Sequence, residues 1–103
     1  MSKSTEKQLL VDKIVEAIKD TKGEDIQNFD LSGIENSVAD TFVICSGNSN
    51  TQVSAIAGNI EKKVRNDIRE RPWHVEGAEN AMWVLVDYVS VVVHVFQKQI
   101  RDY

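Results

Sequence analysis

At 103 residues, 42% hydrophobic and 27% charged, the chain has the composition of one globular domain long enough to bury a core without a metal or disulfide staple. A formal net charge of -4, from 16 Asp+Glu against 12 Lys+Arg, excludes a long-range field drawing it to nucleic acid or an anionic membrane, and suits a basic partner instead. The one cysteine, Cys45, excludes an internal disulfide and, with no apolar signal segment near Met1, points to a reducing cytoplasm.

In chain order, the first six residues are expected to be a flexible N-terminus to a single domain spanning 1–103. Thr5 and Gln8 stand at capping-box spacing. Behind them Leu10, Val11, Ile14, Val15 and Ile18 recur at helical intervals, predicting a helix to Asp20 that Lys22-Gly23 stops, the glycine taking the left-handed cap. Asp25 to Leu31 reads as a short or edge strand, because Ile26, Phe29 and Leu31 break alternation. The stretch 32–37 is turn-rich, and Asp40 to Ser46 follows as a buried, central strand.

Ser49 and Gln52 form a second capping-box spacing ahead of Val53, Ile56, Ala57, Ile60, Val64 and Ile68, one apolar stripe of a helix that Pro72 is expected to end. Trp73-His74-Val75 predicts a short strand, with Trp73 semi-exposed among polar neighbours, and 76–80 a polar loop. Trp83 to Phe96 is the most apolar and β-prone stretch, read as two strands around Asp87-Tyr88-Val89-Ser90. It is too short and too polar for a membrane span of roughly twenty apolar residues. By the period of two, Val84 and Val86 oppose Trp83, Leu85 and Asp87, while Val91, Val93 and Val95 oppose Val92, His94 and Phe96. Both sets are largely apolar, so either helices cover both faces or a partner covers one. Gln97 to Tyr103 reads as the first turns of a last helix. The fold class is α/β, α+β-like: a single-domain mixed sheet of about five strands with flanking helices.

Three constellations bear on chemistry. Ser46-Gly47-Asn48-Ser49 lies where a strand ends and a helix starts, a possible anion site and the basis of an alternative reading as a nucleotide-binding or nucleotidyltransferase-like enzyme. It lacks a P-loop lysine and the dinucleotide-fold glycine spacing, so capping is the favoured role. Metal-dependent nucleotidyl transfer needs two converging carboxylates, yet the residue two beyond Asp87 is Val89, and Asp40 starts a different strand. His94 has no nucleophile at a recognised spacing, and His74, Glu76, Cys45 and His94 form no metal-ligand pattern. No metal, cofactor or catalysis is expected. Lys62, Lys63, Arg65, Arg69 and Arg71 are a weak basis for a nucleic-acid-binding module, and no direct nucleic-acid contact is expected. Trp83, Tyr88, Phe96 and Tyr103 are instead the residue types concentrated in protein interfaces.

The ordered set of residues 39–49, Thr51-Gln52-Val53 with Ala55-Ile56-Ala57, Val75-Glu76-Gly77, Trp83 to Tyr88 and Val91 to Phe96 resembles the ribosomal silencing factor, or Iojap-like, family. The resemblance runs colinearly from about Leu10 to Tyr103. It implies a fold like the nucleotidyltransferase domain without its catalytic carboxylates, often a homodimer, in the cytoplasm. The implied function is to bind the large ribosomal subunit through its fourteenth protein, block subunit joining sterically and lower translation when nutrients are scarce. The contact residues carried over are Trp83, Asp87, Tyr88, His94 and Phe96, with Glu76, Gly77 and Arg101 nearby. Val89-Ser90 departs from the family's common Gly-Asp, which disfavours a tight primed turn, and the family usually continues past Tyr103.

Overall fold

The computed structural model describes the backbone of residues 3–31 and 40–101 and the side chains of 6–31 and 40–99. The elements are α1 (Lys3–Asp20), β1 (Glu24–Asp30), β2 (Thr41–Gly47), α2 (Asn50–Ile68), β3 (His74–Glu76), β4 (Trp83–Asp87), β5 (Val91–Gln97) and α3 (Lys98–Arg101). Their order is the one the sequence predicts. The turn expected over 32–37 lies outside the described residues.

The strands form one mixed sheet in the order β1-β2-β5-β4-β3. β2 and β5 run parallel, and the other three pairings are antiparallel. The chain leaves β2 through α2, enters the far edge at β3 and returns strand by strand to β5, so the most apolar strand becomes the centre. At the other edge β1 carries an irregularity between Glu24 and Gln27, where Asp25 adopts φ 52. Such a bulge twists an exposed edge away from further pairing.

Both long helices pack on one face of the sheet, and no helix covers the other face among the described residues. Val43, Cys45, Val84, Val86, Val91, Val93 and Val95 point to the helices and are fully buried against Ile14, Ile18, Ile56 and Ile60. The alternative of helices on both faces is thereby corrected: two helices suffice for one side only. They run antiparallel, joined by Lys13–Asp67 at 3.3 Å, Lys63–Asp20 at 3.2 Å and an Asn59 Nδ2 donor to the Ala17 carbonyl at 3.0 Å.

The helix ends follow backbone physics more closely than single-residue rules. α1 begins at Lys3, so Thr5 lies inside it, its side chain lies outside those described, and the helix reaches into the segment expected to be a flexible terminus. At its other end Lys22, at φ 60, is the left-handed residue, while Gly23 N–H reaches the Ile18 carbonyl at 2.8 Å. Gly23 is required for a different reason: a Cβ there would meet Ile18 Cγ2 at 2.4 Å. α2 stops at Ile68 through Arg69, at φ 60, whose N–H donates to Arg65 O at 3.0 Å, three residues before Pro72 could act.

The β4–β5 connection is a two-residue loop, Val89-Ser90, flanked by Tyr88 N–H donating to Val91 O at 2.9 Å. Val89 sits at φ 75, an outlier for a β-branched residue, and Ser90 N–H donates to Tyr88 O at 3.0 Å, closing a γ-turn around it. Asp87 Oδ1 accepts from Val89 N–H at 2.7 Å and holds the turn. Tyr88 continues the inward alternation of Val84 and Val86 and is 7% exposed in the core, rather than on the surface as a contact residue. Burial, reinforced by Glu61 and Glu70, pushes its phenol above the usual range, and the hydroxyl finds no partner among the described residues. Tyr88→Phe, which removes that group, is expected to stabilise the fold by about 1 kcal/mol in urea denaturation.

Candidate functional site

The uncovered face is built by cross-strand rows. One row runs Phe29, Phe42, Val92, Asp87, His74; the next runs Gln27, Ile44, His94, Leu85, Glu76; the third brings Ser46, Phe96 and Trp83 together. Alternation along β4 and β5 puts Val84, Val86, Val91, Val93 and Val95 inward, and thereby obliges Trp83, His94 and Phe96 to face outward.

These rings form an ordered stack. Trp83 lies 5.6 Å from Phe96 between centroids and 2° from parallel, and 5.9 Å from His94 at 13°. His94 lies 6.0 Å from Phe96, and Phe42 meets the histidine edge-on at 5.3 Å. Trp83 is 47% exposed and Phe29 42%, so the patch presents aromatic surface to solvent on a rigid support. Such pairs contribute about 0.5–1.5 kcal/mol beyond area burial. Asp87 and Glu76 flank the patch, and Glu24 stands opposite Ser46, giving an apolar centre with an acidic rim.

The Trp83 indole Nε1–H donates to His94 Nδ1 at 3.1 Å. That bond requires an unprotonated Nδ1, so the ring is neutral with its proton on Nε2, and burial lowers its pKa below the ordinary imidazole value. The folded state therefore binds a proton less readily than the unfolded chain. The stability linked to His94 is present above the unfolded imidazole value and is lost as pH falls from there through the folded one. Between pH 7 and 5 the melting temperature of the parent is expected to fall further than that of His94→Phe. Parallel curves would remove His94 as the cause.

Of the residues expected at the contact, Trp83, His94 and Phe96 come together on this face, with Asp87 at its margin. Glu76 and Gly77 border a shallow depression that Trp83 and Leu85 complete. Gly77 is there for backbone reasons, at φ 85 with a Cβ direction 2.0 Å from the Trp83 carbonyl oxygen. Tyr88 is not on this face, and the Arg101 side chain lies outside the described residues. Phe42, Ile44, Leu85 and Val92 belong to the face but were not expected there as a group. Strand alternation marks Leu85 and Val92, whereas placing Phe42 and Ile44 beside them needs the parallel register of β2 on β5.

The possible anion site is arranged as a cap. Ser49 Oγ accepts from Gln52 N–H at 3.1 Å, Gln52 Oε1 accepts from Asn48 N–H at 2.6 Å, and Gln52 Nε2 donates to Lys22 O at 2.9 Å. A Cβ at Gly47 would sit 3.0 Å from Val53 Cγ2, and Glu24 Oε1 lies 3.5 Å from Asn48 Nδ2, a carboxylate where an anion would have to approach. Among the described residues no group of three or more His, Cys, Asp or Glu is placed to hold a metal, and no helix is long and apolar enough to cross a membrane.

Fold and face together define a class: a single α+β domain with a one-sided sheet whose bare side is aromatic with an acidic rim. The family model described as "Ribosomal silencing factor during starvation" matches residues 3–103, and the chain belongs to that ribosomal silencing factor family. It is 48% identical over 88 residues to the ribosomal silencing factor RsfS of Bacillus subtilis, covering 84% of this chain and 72% of that protein. A crystal structure of a Chromobacterium violaceum protein superposes with a TM-score of 0.88 at 36% identity, covering 93% of this chain and 78% of that one. One from Bacillus halodurans gives 0.82 at 43% identity, covering 93% and 88%.

Proposed function

We propose that this chain silences ribosomes by docking the bare sheet face on the large subunit's fourteenth protein, where its bulk keeps the small subunit from joining. The protein then acts in the cytoplasm by steric exclusion and performs no catalysis. The observation that carries this reading is the Trp83–His94–Phe96 stack, rigidly held, half-exposed and left uncovered by both long helices. Aromatic anchors at a patch centre supply most binding energy in protein interfaces, and a carboxylate rim on a chain of net charge -4 complements a basic ribosomal protein. Membership of the family supports the ribosomal partner, and starvation as the setting is the family's own description.

Asp87 is the charge to test, but it also holds the Val89 turn, so Asp87→Lys would disturb backbone and charge together. Asp87→Asn keeps an acceptor oxygen and removes the charge. It is expected to leave the melting temperature unchanged while slowing association with purified large subunits and flattening its salt dependence. An unaltered association rate at low salt would remove Asp87 from the contact.

A further inference from the structure

We propose that the groove between the C-terminal half of α2 and the β3 edge is a second binding site, for single-stranded or looped RNA. Lys62 and Arg65, at i and i+3, share one face of α2, and Arg69 at its left-handed stop and Arg71 beyond it line one groove with Arg65. Two adjoining grooves share Arg65 and Arg71; one adds Asn66 and Arg69, and the other adds Trp73, His74 and Glu61. Lys13 and Lys63 are engaged by Asp67 and Asp20, whereas none of the three arginines joins an ion pair among the described residues. A helix C-terminus favours one or two cations in its last turn, but Arg71 lies beyond the helix and gains little from that field.

Trp73 is the second, independent observation. It is 76% exposed, more than any other large apolar side chain described, and its ring touches only His74 among aromatic groups, at 6.0 Å. Its backbone is nonetheless pinned, because Trp73 N–H donates to the Asp87 carbonyl at 2.7 Å and Pro72 fixes the residue before it. A solvent-facing indole on a held backbone, beside a row of guanidinium groups, offers a stacking platform for a base with phosphate donors alongside. Glu61 in the same groove keeps phosphates to the arginine side. A net charge of -4 is no obstacle, since recognition at contact distance depends on local charge within about a Debye length. The groove adjoins the docking face through the His74–Asp87 pair, so RNA beside the docked ribosomal protein would reach it, a placement that rests on the function proposed above.

The test is fluorescence anisotropy of a labelled single-stranded RNA of about 12 nucleotides, titrated with the full chain across a salt series. Binding is expected at low salt, with log K falling against log salt with a slope of about -2, as for three phosphate contacts on a single strand. Trp73→Ala should weaken binding about tenfold or more and leave the slope unchanged, whereas Arg69→Ala should reduce the slope by about 0.7. Both positions are exposed, and unchanged melting curves confirm folding. Absence of binding at low salt, equal affinity of Trp73→Ala, or displacement by polyglutamate as effective as by unlabelled RNA would overturn the site. Trp83→Ala should bind RNA as the parent does; a loss would move the RNA to the sheet face and overturn the assignment. RNA binding without large-subunit binding would leave this site standing and remove the docking function.

Discussion

Trp83→Ala is expected to weaken binding to the large ribosomal subunit by roughly 2–4 kcal/mol, about 30- to 1000-fold, the range of a central aromatic anchor. The substitution removes both stacking partnerships of the indole and the donor to His94 Nδ1, so the rest of the patch loses its order as well as its largest element. Stability should fall much less, by about 1 kcal/mol, because the ring is 47% exposed in the free protein. Titration of labelled protein against purified subunits, beside a urea melt, separates the two effects. Trp83→Phe keeps a ring for the stack without the Nε1 donor and should recover much of the loss. A variant that binds as tightly as the parent would show that the face is not the contact.

Gly77→Ala should be the most damaging small change to the fold. With φ at 85 an alanine is strained before any contact is counted, and its Cβ would lie 2.0 Å from the backbone oxygen of Trp83, an atom that cannot swing aside. Either β4 moves at its first residue or the 77–81 turn opens, where Ala81 N–H donates to the Gly77 carbonyl at 3.0 Å. The cost is about 3 kcal/mol, or a fall in melting temperature of roughly 15 °C for a domain of this size. Circular dichroism on heating reads it directly. Because Trp83 begins the strand that would shift, whatever protein remains folded should also bind subunits poorly.

Much of this architecture was legible because local signals and global packing agree. The valines at 84, 86, 91, 93 and 95 alternate with Leu85, Val92, His94 and Phe96, so the core-facing and outward-facing sets follow from a period of two. The stripe from Val53 to Val64 is buried as its spacing implies. What was not legible depends on atoms far apart in the chain. Tyr88 is the exception: the same alternation that buries Val84 and Val86 sends it inward, and only its place in the resemblance set it among the contact residues. The left-handed roles of Lys22 and Arg69 were hidden because nearby Gly23 and Pro72 are stronger signals by residue type. For the candidate site, the outward rings were foreseen on β4 and β5, but that the helices share one side, leaving those rings bare, follows from tertiary packing alone.

The most direct measurement is sedimentation of the full chain with purified large subunits, followed by addition of small subunits and a count of the joined particles. The chain should travel with the large subunits and reduce joining in proportion to its occupancy, and Trp83→Ala should do neither. Joining that proceeds normally on large subunits saturated with the chain would contradict steric silencing, and failure to co-sediment at low salt would contradict the docking itself.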